Sequence, residues 1–284
     1  MASPAVDYAS ADPAIYRIAP SRGWVPIQLG EIWAFRELLY FLVWREVKVR
    51  YKQTALGIAW AVLQPVLTMV VFSVFFGQLA HIETGGPPYP VFAYCALLPW
   101  QLFAYSLAES SNSVVVNQRL LTKVYFPKLI LPLASVAVGL VDFSISAVVL
   151  FGLMAYYGIA PTPGIWSLPL FTLLAVTTAV AVSLWLAALN VRYRDVRYTV
   201  PFLTQLWLFV TPVAYPTSLV HDPWWRFWYS LNPMVGVVDG FRWALLGGPW
   251  PGLTVFASTA AVLAILASGL FYFRRTERTF ADVV

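Results

Sequence analysis

Charge is what this sequence has least of. Of its 284 residues only 11% are Asp, Glu, Lys or Arg, while 60% are hydrophobic and 17% aromatic; an average soluble domain is roughly 25% charged. No water-soluble core needs so much apolar surface, and a mean hydropathy of +0.71 also points to a chain embedded in a bilayer. Cysteine is reduced to Cys95, inside an apolar run. An intrachain disulfide and a cysteine metal cluster are therefore excluded, and the thiol reads as a small buried hydrophobe. Histidine occurs only at His81 and His221, in separate connections, so no metal centre is expected. No lysine follows a glycine, which removes the GxxxxGK[ST] loop that cradles nucleotide phosphates. No cleaved secretory leader is expected either. Residues 1–26 carry Pro4, Pro13, Pro20 and Pro26 with Asp7 and Asp12, not a basic start and an apolar core, and read as a loose cytoplasmic tail.

What is present is a succession of uncharged stretches long enough to cross a membrane, about 20 residues at 1.5 Å each. Nothing charged lies between Lys52 and His81, and Asp142 alone interrupts 129–190. Spans are expected at about 58–79, 90–108, 129–157, 165–190, 199–220 and 253–273, the third and fourth parted by Gly158, Pro161, Pro163 and Gly164. Isolated apolar segments satisfy their backbone in lipid only as helices. The expected fold class is therefore all-α, a six-span integral membrane domain over 54–284. Before it, 27–53 mixes Trp33, Phe41 and Trp44 with Glu31, Arg36, Glu37, Arg45, Glu46 and Lys48, the pattern of an interfacial amphipathic helix. Sixteen of the 18 Lys and Arg lie before the first span, between the second and third, between the fourth and fifth, or after the sixth; Arg226 and Arg242 remain. That asymmetry places both termini in the cytoplasm. It also explains the net charge of +5 by orientation and anionic lipid, not nucleic acid. No internal repeat of the secondary-transporter kind is visible.

Several segments are candidates for function. The stretch 223–247 is too apolar for a loop, yet it holds Arg226, Asp239 and Arg242 and breaks at Asn232-Pro233. Either two short helices dip into the outer leaflet and return, or an aromatic belt helix lies flat on it; Trp224, Trp225, Asn232, Pro233 and Arg242 are its notable residues. On the inner side, Asn117 to Lys128 interleaves Arg119 and Lys123 with Leu120, Tyr125, Phe126 and Pro127. A short helix docking into a partner's groove has this composition, and so has a basic loop held against anionic lipid. Pro65, Pro99, Pro132, Pro201 and Pro212 each remove a helical hydrogen bond and permit a kink. Trp60, Trp100, Phe103, Tyr105, Trp185, Trp207, Phe209 and Tyr215 lie within the spans. Sugar rings present C–H faces that slide over aromatic faces, which suits a moving polysaccharide; packing or a belt accounts for each residue singly. Asp142, the lone acid near the middle of a span, is by default a functional candidate, or else a structural polar contact helped by Ser144 or Ser146.

Residues 44–53, Trp-Arg-Glu-Val-Lys-Val-Arg-Tyr-Lys-Gln, followed by Leu56-Gly57-Ile58-Ala59-Trp60 and Gln64-Pro65, resemble the entry to the first span in permeases of type-2 ATP-binding-cassette exporters, polysaccharide and polyol-phosphate branch. The resemblance continues in order through Phe126-Pro127-Lys128, Leu131-Pro132, Asn190 to Val196, Thr211-Pro212-Val213, Leu231-Asn232-Pro233 and Phe241-Arg242, covering about residues 30–275. It implies a homodimer of six-span subunits in the bacterial cytoplasmic membrane. Each subunit would pair with a separate cytoplasmic ATPase that binds ATP and Mg, exporting a lipid-linked glycan such as O-antigen or teichoic acid to the cell envelope. It makes Asn117 to Lys128 the region that meets the ATPase and 224–246 a re-entrant pair at the outer exit, and raises the aromatics toward lining a glycan path. Arg45, Lys48, Arg50 and Lys52 then become candidates for attracting the lipid anchor's pyrophosphate. An ion-coupled transporter would show several ionisable residues at membrane depth and repeated halves. An enzyme acting on lipid-linked sugars would show paired acids or metal ligands. Neither pattern is present, while drug or small-lipid export by a related permease stays open.

Overall fold

The uncharged stretches form helices. The structure, a computed structural model, describes residues 29–52, 57–277 and 280; the expected tail at 1–26 lies outside the described residues. In chain order the elements are α1 (Leu29–Ala34), α2 (Arg36–Lys52), α3 (Ala59–Phe72) extended by a π-helical stretch Ser73–Leu79, α4 (Tyr89–Val116), α5 (Gln118–Leu121) and α6 (Ile130–Tyr156). A 3₁₀ turn Pro163–Ser167 then leads into α7 (Leu168–Arg192), followed by α8 (Val196–Val210), α9 (Pro223–Ser230), α10 (Pro233–Leu246) and α11 (Leu253–Glu277). No strand occurs among the described residues. Among the described residues five stretches are long and apolar enough to cross a membrane: Ala59–Leu79, α4, α6, Pro163–Arg192 and α11.

Local chemistry explains the boundaries. The segment expected to be helical over 199–220 stops at Val210, because Pro212 disfavours helical backbone in the residue before it, and Thr211 is extended (φ −98, ψ 144). The second span, expected to end at 108, continues to Val116. Glu109 is exposed, and the hydroxyls of Ser111 and Ser113 donate to Ala108 O and Ser110 O in their own helix, so the polar run does not interrupt it. The single surface helix expected over 27–53 is two, α1 and α2, meeting at Phe35. Asn232 caps α10 by accepting from Met234 N, and Gly247 ends it in the left-handed region (φ 72).

α4 is the central pillar. Val91, Ala93, Tyr94, Cys95 and Phe103 are fully buried, and α3, α6, α7, α8 and α10 all pack on it. A second core joins Leu42 of α2, Phe126, Leu129 to Leu131, Leu184, Ala187, Ala188, Val191 and Phe273. Polar bonds stitch the helices together: Asn190 Nδ2 donates to Ser111 O (2.8 Å) and Asn112 Oδ1 (2.9 Å), and Ser258 Oγ donates to Ser230 O (2.9 Å). Such bonds average about 0.6 kcal/mol each between membrane helices.

Small residues let backbones approach. At Gly240 of α10 an added Cβ would lie 2.2 Å from the Phe171 ring of α7. Gly240→Val is therefore expected to wedge the two helices apart at a cost of about 1–3 kcal/mol, read as a lower unfolding temperature of the detergent-solubilised protein. An unchanged temperature would mean that Phe171 swings aside freely.

Candidate functional site

A groove of about 560 Å³ runs between α3, α4, α6 and α8. Trp60, Trp100 and Tyr105 line it together with three amides, Gln64, Gln101 and Gln205. The periodicity of a helix puts residues four apart on one face, so Gln64 with Thr68, Gln101 with Tyr105 and Pro201 with Gln205 form a stripe on each of three helices. Pro65 lacks the N–H that would bond Ala61 O, and Ser146 Oγ of α6 supplies the missing donor at 3.0 Å. The lining thus mixes aromatic and aliphatic side chains with neutral hydrogen-bonding groups. A polyhydroxylated chain, with C–H faces and hydroxyls in turn, is complementary to such a wall. The glutamines were not singled out from sequence; the available signal was an amide four residues from a hydroxyl, proline or tyrosine inside an otherwise apolar helix.

At one end the groove carries charge. Arg50 Nη2 lies 3.0 Å from Asp142 Oδ2, and the Tyr51 hydroxyl donates to Asp142 Oδ1. The Arg50 guanidinium sits 4.4 Å over the Tyr105 ring. Burial, and then the bond to Asp142, push the Tyr51 phenol above its ordinary range, so it stays a protonated donor. Ser144, read from sequence as a possible partner for Asp142, donates to Leu140 O of its own helix instead. Of the other basic candidates on α2, Arg45 reaches Asn117 Oδ1 (3.2 Å) and Glu46 (3.6 Å), Lys48 lies 4.3 Å over Trp44, and Lys52 is exposed at the helix end.

The remaining aromatic candidates lie outside the groove lining. Phe103 is buried behind Trp100 and meets Trp207 edge-on at 5.1 Å. Trp207 Nε1 donates to Asn232 Oδ1 (3.1 Å), tying α8 to α10. Trp185 stacks on Tyr272 of α11 at 4.5 Å, Phe209 is exposed, and Tyr215 donates to Phe209 O (2.8 Å). Trp224 and Trp225 are exposed on α9, whereas Pro233 and Arg242 are buried in α10. Arg242 donates to Pro212 O (2.5 Å), Val213 O (2.9 Å) and Tyr215 O (3.3 Å), while the Tyr89 hydroxyl donates to Ala214 O (2.6 Å). The carbonyls of residues 212–215, just after α8, are thereby satisfied.

The segment between α4 and α6 is anchored at its ends and exposed in its middle. Asn117 bonds Arg45, Phe126 and Pro127 are buried, and Lys128 Nζ donates to Glu277 O (2.6 Å). Between them Arg119, Lys123, Val124 and Tyr125 (74% exposed) stand outward, with Leu120 half-buried. A protruding tip that mixes cations with apolar side chains and is fastened at both ends to the core suits contact with another protein.

A family model described as ABC-2 type transporter matches residues 37–246, the stretch from α2 to α10 that holds all of the groove. The chain is 35% identical over 258 residues to the O-antigen export system permease protein RfbA of Myxococcus xanthus, covering 89% of this chain and 98% of that one. A protein of the same description from Klebsiella pneumoniae is 27% identical over 252 residues, covering 87% and 95%. The polysialic acid transport protein KpsM of Escherichia coli is 24% identical over 239 residues, covering 82% and 91%.

Proposed function

Because this chain belongs to the ABC-2 type transporter family, we propose that it is the membrane subunit of an ATP-driven exporter carrying a lipid-linked polysaccharide across the bacterial cytoplasmic membrane. It is a multi-pass membrane protein and a transport subunit, not an enzyme. The observation that carries the cargo class is the groove, whose tryptophans and glutamines match alternating C–H faces and hydroxyls. The relatives named for O-antigen and polysialic acid transport support the same class, within which teichoic acid also falls.

ATP and Mg belong to a separate cytoplasmic ATPase. In the proposed arrangement α8 is the fifth of six spans in chain order, both termini are cytoplasmic, and α9 with α10 re-enters from the outer side, so that Trp224 and Trp225 rest at the outer interface. A second copy of the chain closes the open side of the groove. ATP binding draws two ATPases together, and the exposed tip at Arg119, Lys123 and Tyr125 passes the displacement through Asn117 and Phe126 to α4 and α6. Arg45, Lys48, Arg50 and Lys52 attract the phosphates of the lipid anchor at the inner mouth. Such coupling requires that the tip make different contacts in two states.

Deletion of the gene is expected to strip the cell surface of its glycan and trap the lipid-linked polymer inside; a fully decorated surface would overturn the reading. Arg119→Glu combined with Lys123→Glu is expected to lower export at least tenfold while the partner ATPase continues to turn over. Unaltered export, measured as surface glycan per cell, would remove the coupling assignment.

A further inference from the structure

One carboxylate fastens the C-terminal end of α2 to α6. Asp142 holds Arg50 through Oδ2 at 3.0 Å and accepts from Tyr51 through Oδ1, while Tyr105 of α4 lies beneath the guanidinium at 4.4 Å. The rest of α2 is anchored nearer its middle, where Leu42 is buried in the second core with Leu38, Leu39 and Val43 packed about it and Arg45 bonds Asn117, whereas Val49 beside Arg50 is exposed. Arg50 and Asp142 both line the groove, with side chains 33% and 17% exposed. An ion pair that borders an open groove is exchangeable. A phosphate ester or diphosphate carries more charge than a carboxylate and offers a guanidinium fork more oxygens. Lys48 and Lys52, within a turn of Arg50, raise the local concentration of such an anion.

We propose that Arg50 is an anion-exchange site, held by Asp142 in the empty protein and surrendered to the phosphate-bearing head of the cargo on loading. Once Arg50 leaves, the end of α2 is held to Asp142 by the Tyr51 hydrogen bond alone, so it loosens from α6 and widens the mouth of the groove. The identity of the cargo rests on the export reading above, but anion binding and helix release are both measurable without transport.

The test uses the full chain in nanodiscs of phosphatidylcholine, with geranylgeranyl diphosphate and inorganic pyrophosphate as probes. Binding is read by thermophoresis. The distance from the C-terminal end of α2 to α6 is read between spin labels at Val49→Cys and Val148→Cys, both exposed, in a Cys95→Ala background. Asp142→Asn is expected to bind the lipid diphosphate about tenfold more tightly, and to show without ligand the longer distance that the parent reaches only when saturated. Arg50→Gln is expected to bind about tenfold more weakly. Tighter binding of the lipid form than of pyrophosphate assigns the site to a lipid head; equal binding overturns that assignment in favour of free phosphates. Unchanged affinity in Asp142→Asn, or a distance that does not move at saturation, overturns the exchange and leaves the gene-deletion phenotype standing. Should Asp142→Asn misfold, Arg50→Gln breaks the same ion pair from its other side and is expected to lengthen the distance without ligand. An unmoved distance there sinks the latch.

Discussion

Arg242→Gln is expected to abolish accumulation of folded protein. α8 stops at Val210 and leaves the carbonyls of residues 212–215 without helical partners, in a segment where Val213 and Ala214 are buried. Arg242 supplies donors to three of those carbonyls and Tyr89 to the fourth, with the guanidinium 3.6 Å over the Phe92 ring. A buried acceptor left unsatisfied costs about 1–3 kcal/mol, so losing three approaches the roughly 5–15 kcal/mol that holds a typical domain together. Arg242→Lys should not rescue it. An ammonium is a point charge that cannot reach three carbonyls as a planar fork while stacking on an aromatic ring. The measurement is the yield of monodisperse protein by fluorescence-detected size exclusion. Near-normal yield and unfolding temperature in both variants would show that water satisfies the turn.

Arg242 also marks the limit of what the chain discloses in one dimension. As a cation in an apolar stretch it stood out from sequence among the residues of the outer connection, but its acceptors lie about thirty positions earlier. Nothing in the sequence joins the two. Helices read well where charge is absent, because an uncharged run has few options in lipid: Ile130–Tyr156 matches the expected 129–157 closely. They read poorly where a turn depends on one residue, as at Pro212, since hydropathy averages over a window and reports how long a segment stays apolar, not where it bends. Asp142 was conspicuous as a lone acid, yet Tyr51, its partner ninety-one positions away, belonged to a different segment. The groove was least legible of all. Gln64, Gln101 and Gln205 sit on three helices, and each alone is a tolerable polar residue in an apolar run. Only packing on α4 places them on one wall with Trp60, Trp100 and Tyr105.

Gln64→Leu together with Gln205→Leu is expected to reduce glycan export at least tenfold while leaving protein yield unchanged. Both side chains are exposed in the groove, so leucine neither overfills a core nor leaves a buried partner unsatisfied, and an apolar residue is at home in helices of this composition. What changes is the wall. Two amides that exchange hydrogen bonds with successive hydroxyls are replaced by surfaces that offer none, and a hydroxyl drawn into that stretch loses water without compensation, at about 1–3 kcal/mol each on mutational scales. Two such losses at once, about 2–6 kcal/mol, correspond to roughly thirtyfold to more than ten-thousandfold in a rate limited by passage through the groove. The same substitutions also separate the two cargo classes that the sequence left open. A drug or a small apolar lipid gains contact from leucine and should cross at least as fast, whereas a polysaccharide should stall with lipid-linked polymer trapped inside the cell. The decisive measurement is surface glycan per cell beside efflux of a hydrophobic dye. Full glycan display with the double substitution would mean that the polymer does not travel along this groove.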